Sequence, residues 1–203
     1  MNNIALIGDV HGHTQSYLNI VNMFEYSVQL GDMGFRNNYA ALDNVDYDKS
    51  KHVFVPGNHD DYDHLPEVAL KDYGMHKLGG FKFFFVRGAY SIDQHLRTEG
   101  KSWWGNEELN YHQSAKCLEE YEKTKPRVVL SHNCPDVASP FLVSHHMKTS
   151  STGKLMDMML RYHKPQYWIF GHHHISTTFK LHGTTFRCLN ELEFVRVGDI
   201  ING

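Results

Sequence analysis

Asp9, His11, Asp32, Asn58, His59, His132, His172 and His174 are the side chains whose types and order suit metal or acid–base chemistry. They fall in five short clusters: Asp9-Val10-His11, Gly31-Asp32, Gly57-Asn58-His59-Asp60, Ser131-His132 and Gly171-His172-His173-His174. The donors are carboxylate, imidazole and amide, with no thiolate. That set suits Mn, Fe, Zn or Ni, and is richer in nitrogen than Mg or Ca normally take. The candidates outnumber the ligands one ion needs. A carboxylate can bridge two ions, so a pair about 3.5–4 Å apart is the natural arrangement, and such a pair acts on phosphoryl oxygens. The 16 histidines among 203 residues point the same way, because histidine is both the commonest metal ligand and the usual acid–base residue near neutral pH.

Each cluster follows a short apolar run: Ile4–Ile7, Val28–Leu30, Val53–Val55, Val128–Leu130 and Tyr167–Phe170. Runs of this length with helical or irregular crossovers between them predict a buried, parallel sheet. Ligands of such sheets sit beyond the carboxyl ends of the strands, where these polar residues fall. The pattern further predicts a helix over Gln15–Glu25, capped by Thr14, with Leu18, Val21 and Met23 facing inward. Phe81–Val86 and Ala89–Ile92 read as strands with antiparallel neighbours. Asn106 reads as the cap of a helix over Glu107–Lys123, Pro135–Gly153 as a long loop, and Lys154–His163 as a short helix. Thr177–Leu181, Thr184–Leu189 and Leu192–Val197 read as antiparallel strands, with His182-Gly183 as a hairpin turn. No linker or repeat divides the chain, so one domain over residues 1–203 is expected.

Twenty Lys and Arg against 23 Asp and Glu give a net charge of -3. This argues against stable binding to nucleic acid by bulk charge. Cys117, Cys134 and Cys188 are too few and too scattered for a disulfide framework or a zinc clasp, and suit a reducing compartment. Met1 to Ile7 has no signal-peptide pattern, and Phe81–Val86, the longest apolar stretch, is too short to span a bilayer. A cytoplasmic protein with no membrane association is expected.

The five clusters, in this order from Gly8 to His174, resemble the blocks of the calcineurin-like metallophosphoesterases, in particular small stand-alone prokaryotic or phage members. The resemblance implies an α/β fold of two mixed β-sheets packed as a sandwich and flanked by helices, four layers in all, with a dinuclear metal site at one end. It implies that Asp9, His11 and His174 hold one ion, that Asn58, His132 and His172 hold the other, and that Asp32 bridges. His59 would not bind metal but protonate the leaving oxygen. The cofactors would be two divalent transition-metal ions, Mn first, with Fe, Zn or Ni as alternatives. The reaction implied is hydrolysis of a phosphomonoester or phosphodiester by a bridging hydroxide, on a small or nucleotide-type substrate. The alternative is a scaffold that keeps the fold and binds protein without catalysis.

The sequence also departs from the protein phosphatase branch of that family. In Gly31-Asp32-Met33-Gly34-Phe35-Arg36, Arg36 falls where that branch has a phosphate-binding arginine and is a candidate catalytic residue, but Phe35 replaces the preceding aspartate. The partner that would orient His59 is therefore open, with Asp60, Asp61 and Asp63 as local substitutes. A further segment, Ser91-Ile92-Asp93, Arg97, Ser102-Trp103-Trp104 and Glu107-Glu108, resembles one in small prokaryotic and phage members. Arg97 is a second candidate phosphate clamp behind Arg36, with a salt bridge to a nearby acid as its simpler role. Simpler roles suffice elsewhere: solvent for His13 and the His145-His146 pair, the outside of the site for His173, and packing for Cys134, Trp103-Trp104, Met156, Met158 and Met159.

Overall fold

Strands covered on both faces need no polar alternation, and the short apolar runs of this chain are buried at every position. A computed structural model describes residues 3–34, 49–142 and 149–201. Its elements are β1 (Ile4–Ile7), α1 (Thr14–Val21), β2 (Tyr26–Gln29), β3 (His52–Phe54), β4 (Tyr73–Leu78), β5 (Phe81–Val86), α2 (Tyr111–Thr124), β6 (Val128–Ser131), α3 (Ser151–Tyr162), β7 (Tyr167–Phe170), β8 (Thr177–Leu181), β9 (Thr184–Cys188), β10 (Phe194–Arg196) and α4 (Val197–Ile201). One sheet has the order β10-β1-β2-β3 and the other β4-β5-β6-β7-β9-β8. β1, β2 and β3 run parallel, as do β5, β6, β7 and β9. β10, β4 and β8 add antiparallel edges, so both sheets are mixed.

The two-residue period of each strand divides its side chains between two cores. Ile4 and Leu6 of β1 meet Phe83, Phe85, Leu130 and Ile169 of the other sheet. Ala5 and Ile7 turn the other way, onto Tyr17, Leu18 and Val21 of α1. Phe84, Val129, Trp168 and Phe170 pack on Cys117 and Tyr121 of α2 and on Leu155, Met156 and Met159 of α3. The layers are therefore helix, sheet, sheet and helices, as expected. Among the described residues no helix is long and apolar enough to cross a membrane.

Several local expectations are corrected. Thr14 is the first residue of α1 rather than its cap, and Met23 lies beyond the end of that helix and is exposed. Met158 of α3, between the buried Met156 and Met159, is exposed rather than packed. Ala89–Ile92 is not a strand, and β5 pairs instead with β4, whose Gly74, His76 and Lys77 dilute the apolar signal. The chain leaves β5 at Gly88, where φ is +84° and a Cβ would stand 2.0 Å from the Glu107 carbonyl oxygen. It then crosses toward the carboxyl ends of the strands. α2 starts at Tyr111, four residues later than expected, because Asn110 and Gln113 cap each other. Asn110 Oδ1 accepts from the Gln113 N–H at 3.0 Å, and Gln113 Oε1 accepts from the Asn110 N–H at 3.0 Å. Part of the expected 135–153 loop is ordered as a 3-10 turn over Asp136–Phe141, and Ser150 Oγ caps α3 through the Gly153 N–H at 2.9 Å. His145 and His146 lie outside the described residues. The tail divides between the sheets: β8 and β9 form the hairpin turned by His182-Gly183, while β10 crosses to β1.

The helix start gives a direct test. Asn110→Ala should lower unfolding free energy in a urea titration by about 1 kcal/mol, and Asn106→Ala, at an exposed position, by no more than about 0.5 kcal/mol.

Candidate metal centre

Asp9 and His11 follow β1, Asp32 follows β2, Asn58 and His59 follow β3, His132 follows β6, and His172 and His174 follow β7. The turns that carry them are tight. His11, Asp32, His172 and His174 all adopt left-handed φ, between 47° and 66°, at a cost of roughly 1–2 kcal/mol each for residues with a Cβ. Backbone hydrogen bonds hold the turns against that cost. The Val10 and His11 N–H groups donate to Asp32 O at 3.1 and 2.7 Å, and the His172 N–H donates to Asp9 Oδ1 at 2.9 Å. Gly31 and Gly57 are required by closeness. A Cβ on Gly31 would meet His132 Nδ1 at 2.2 Å, and one on Gly57 would meet Asp32 Oδ1 at 2.2 Å.

The ligand atoms converge in two groups, Asp9 with His11 and His174, and Asp32 with His132 and His172, each within 4.8 Å. In the first, His174 Nε2 lies 3.0 Å and His11 Nε2 3.6 Å from Asp9 Oδ2, and the two imidazole nitrogens are 2.9 Å apart. In the second, His132 Nε2 lies 3.1 Å from Asn58 Oδ1 and 3.3 Å from Asp32 Oδ1. Asp32 turns one oxygen to each group, because its Oδ2 is 3.8 Å from His11 Nε2. Two atoms bound to one ion at about 2.1 Å stand about 3.0–3.4 Å apart at right or tetrahedral angles, and the spacings within each group, 2.9–3.6 Å, bracket that range.

These residues also fit cations electrostatically. His132 Nδ1 is 2.7 Å from the Leu30 carbonyl oxygen and donates to it, so the other ring nitrogen faces two oxygen acceptors. Without a cation the contact needs a proton. Burial opposes a charged His132, but the Asp32 carboxylate outweighs it and pushes the imidazole up to about 9. Burial likewise opposes ionisation of Asp9 and Asp32, yet the surrounding imidazoles hold both well below the usual carboxylate range. The set of nitrogen and oxygen donors suits a divalent transition metal.

His59 stands at the rim, its Nε2 3.9 Å from Asp32 Oδ2 and its backbone N–H donating to Asp32 Oδ1 at 2.8 Å. Asp60 accepts from the Gly57 N–H of its own turn and from the Gly34 N–H in the loop after β2, and Asp61 from the Asp63 N–H and His64. A cation, Arg97, is laid along the His59 ring. Its NH1 is 2.5 Å from Nδ1 and its NH2 3.3 Å from Nε2. Burial lowers the His59 pKa, Asp32 opposes this, and Arg97 adds to the lowering. Arg36 lies outside the described residues.

Sequence reasoning assigned no role to two residues around Asn58. Its Nδ2 donates to Ser91 Oγ at 3.0 Å. The Ser91 hydroxyl and N–H each donate to the buried Glu107 carboxylate at 2.7 Å. A carboxylate only accepts, so Ser91 must offer Asn58 a lone pair, and Asn58 must turn its amide NH2 outward and its oxygen toward His132. The sequence signal was the segment from Ser91 to Glu107, which stood out without a function.

The remaining candidates fall where ordinary packing places them. His13 pairs with Glu191 at the surface. His173 points toward Cys134 Sγ, and burial pushes its pKa down to about 4. Burial raises the Cys134 thiol well above its ordinary value, which does not suit a nucleophile.

A family model described as calcineurin-like phosphoesterase matches residues 3–176. A dimetal phosphatase from Danio rerio superposes with a TM-score of 0.59 at 15% identity, covering 94% of this chain and 88% of that one. A protein from Thermus thermophilus gives 0.57 at 14% identity, covering 95% and 90%. GAP50, the anchor in the inner membrane complex of Plasmodium, gives 0.50 at 12% identity, covering 92% and 70%. At these identities the superpositions show a shared fold. A search of curated proteins finds no match to this sequence.

Two outcomes follow from the geometry. Glu107→Gln frees the Asn58 amide to turn over, so stepwise Mn²⁺ titration should show one ion bound about 10–100-fold more weakly and the other unchanged. Metal must also displace the proton that Asp32 holds on His132. Affinity in a chelator competition should therefore rise by at least about tenfold per pH unit up to about pH 9 and then flatten, and rise more steeply at the acid end, where His11 and His174, both raised above the ordinary imidazole value, also give up protons.

Proposed function

The chain belongs to the calcineurin-like phosphoesterase family, and on that premise we propose that it hydrolyses phosphate esters at a dinuclear centre. In this reading Asp9, His11 and His174 hold one divalent ion, Asn58, His132 and His172 hold the other, and Asp32 bridges them. The observation that carries it is Asp32, a buried carboxylate with one oxygen turned to each group of ligand atoms. Two divalent ions, Mn first with Fe, Zn or Ni as alternatives, supply a water of lowered pKa and neutralise phosphoryl charge.

The protein supplies placement and a proton. The Leu30 carbonyl fixes the tautomer of His132, and Ser91 fixes the face of Asn58, so both present lone pairs inward. His59 hands a proton from Nε2 to the leaving oxygen. Burial and Arg97 make that proton easier to lose than from an ordinary imidazole, and Asp32 offsets part of the effect. The substrate class is a small phosphoester, including nucleotide types, because the net charge of -3 offers no broad attraction for a long polyanion. We place the protein in a reducing, cytoplasmic setting on its three free, buried cysteines, and treat residues 1–203 as one domain.

A non-catalytic scaffold is the competing reading, since an anchor protein shares the fold. The complete set of ligand candidates and His59 favour the enzyme.

The deciding measurement is turnover of aryl phosphate mono- and diesters, cyclic nucleotides, dinucleoside polyphosphates, phosphopeptides and single-stranded DNA with Mn²⁺, with and without chelator. Chelator-sensitive turnover of a small phosphoester is expected, and its absence across the whole panel would favour the scaffold. His59→Asn should cut kcat by about 10²–10⁴ while metal analysis still finds two ions. Asp32→Asn should weaken both sites together, and loss of one ion alone would remove the bridge.

A further inference from the structure

Arg97 stands in the segment that follows Gly88. Its side chain is only 15% exposed, so it is not an ordinary surface cation. Each of its nitrogens has a definite environment. Nε donates to Asp93 Oδ1 at 2.8 Å, and NH1 donates to the Ser102 carbonyl at 3.0 Å. Anchors on Nε and NH1 fix the plane of the guanidinium. NH2 meets no carboxylate or carbonyl among the described residues; its neighbour is His59 Nε2 at 3.3 Å. That imidazole nitrogen faces Asp32 Oδ2 at 3.9 Å and so opens on the ligand groups. A guanidinium held at Nε and NH1, with NH2 at the mouth of a candidate phosphoester site, suits a phosphate oxygen.

We propose that Arg97 binds a terminal oxygen of the phosphoryl group, and that it makes the site selective for phosphate monoesters. This rests on the dinuclear reading above and deepens it. A monoester has three terminal oxygens and carries close to two negative charges at neutral pH. Two ions held by the residues named above would neutralise two of those oxygens, which leaves the third for Arg97. A diester has two terminal oxygens and one charge, so both are used before Arg97 is reached. The same contact places the leaving oxygen beside His59 Nε2, because NH2 and that nitrogen are neighbours. Asp93 is a positioning residue: it touches the guanidinium and keeps it from swinging outward.

Three variants are measured in the Mn²⁺-loaded protein: Arg97→Ala, Arg97→Lys and Asp93→Asn. Inorganic phosphate is the binding probe, followed by calorimetry, and p-nitrophenyl phosphate and bis-p-nitrophenyl phosphate are the substrates. Arg97→Ala should weaken phosphate binding about tenfold or more. It should lower kcat/KM for the monoester about 100-fold and for the diester by less than about fivefold. Arg97→Lys keeps the charge without the paired donors and should fall between Arg97→Ala and the unaltered protein, with Asp93→Asn shifting the same ratio less. Equal losses on both substrates with phosphate affinity unchanged would overturn the proposal and leave Arg97 as a support for His59. If the unaltered protein hydrolyses neither ester, the enzyme reading fails. Even then, weakened phosphate binding by Arg97→Ala alone would uphold the contact, and unchanged binding would overturn it.

Discussion

Asp32 is the constraint around which the site is arranged. Its carboxylate is almost wholly buried in company with Asp9, and two negative groups in a dry site are costly unless each is surrounded by positive or donating partners. The partners come from four other loops: His11, the His59 backbone N–H, His132 and, through Asp9, His174. Removing any one of these loops would strip the buried carboxylates of a donor or a positive neighbour. The convergence of five strand ends is thus an electrostatic requirement as well as a consequence of topology.

The two sheets make that convergence possible. β1, β2 and β3 in one sheet and β6 and β7 in the other end at the same edge of the sandwich, with the inter-sheet core of Leu6, Leu30 and Leu130 beneath. Packing this rigid holds turns whose backbones are strained. Four site residues with left-handed φ, and two glycines whose Cβ atoms would collide with site side chains, show how little slack is left. The structure spends conformational freedom here because divalent ligand geometry tolerates small errors poorly.

The segment from Gly88 to Glu107 links the two neighbours Asn58 and His59 to the outside of the site. Ser91 and Glu107 set which face the Asn58 amide presents, and Arg97, braced by Asp93, lies along His59. One strap therefore governs a candidate ligand and a candidate acid at once. It also explains why α2 starts late: Glu107 and Leu109 are buried in the strap before the chain turns into the helix at Asn110.

The sequence by itself determined the candidate ligands and the class of fold. Strand-end chemistry is local: an apolar run, a glycine and then Asp, Asn or His lie within a few residues of one another. One such block means little, as Gly198-Asp199 shows, and it is the five in order that are legible. The apolar runs likewise announced the buried strands of both sheets. Boundaries set by competing local signals were less legible. Asn106 looks like a cap as readily as Asn110 does, and only the reciprocal bond with Gln113 decides between them. What tertiary structure alone decided is the company these residues keep. Asn58 meets Ser91 across 33 residues, His59 meets Arg97 across 38, and Asp9 meets His174 across 165. No periodicity connects such positions. They are joined by sheet topology, which turns separations along the chain into hydrogen-bond distances.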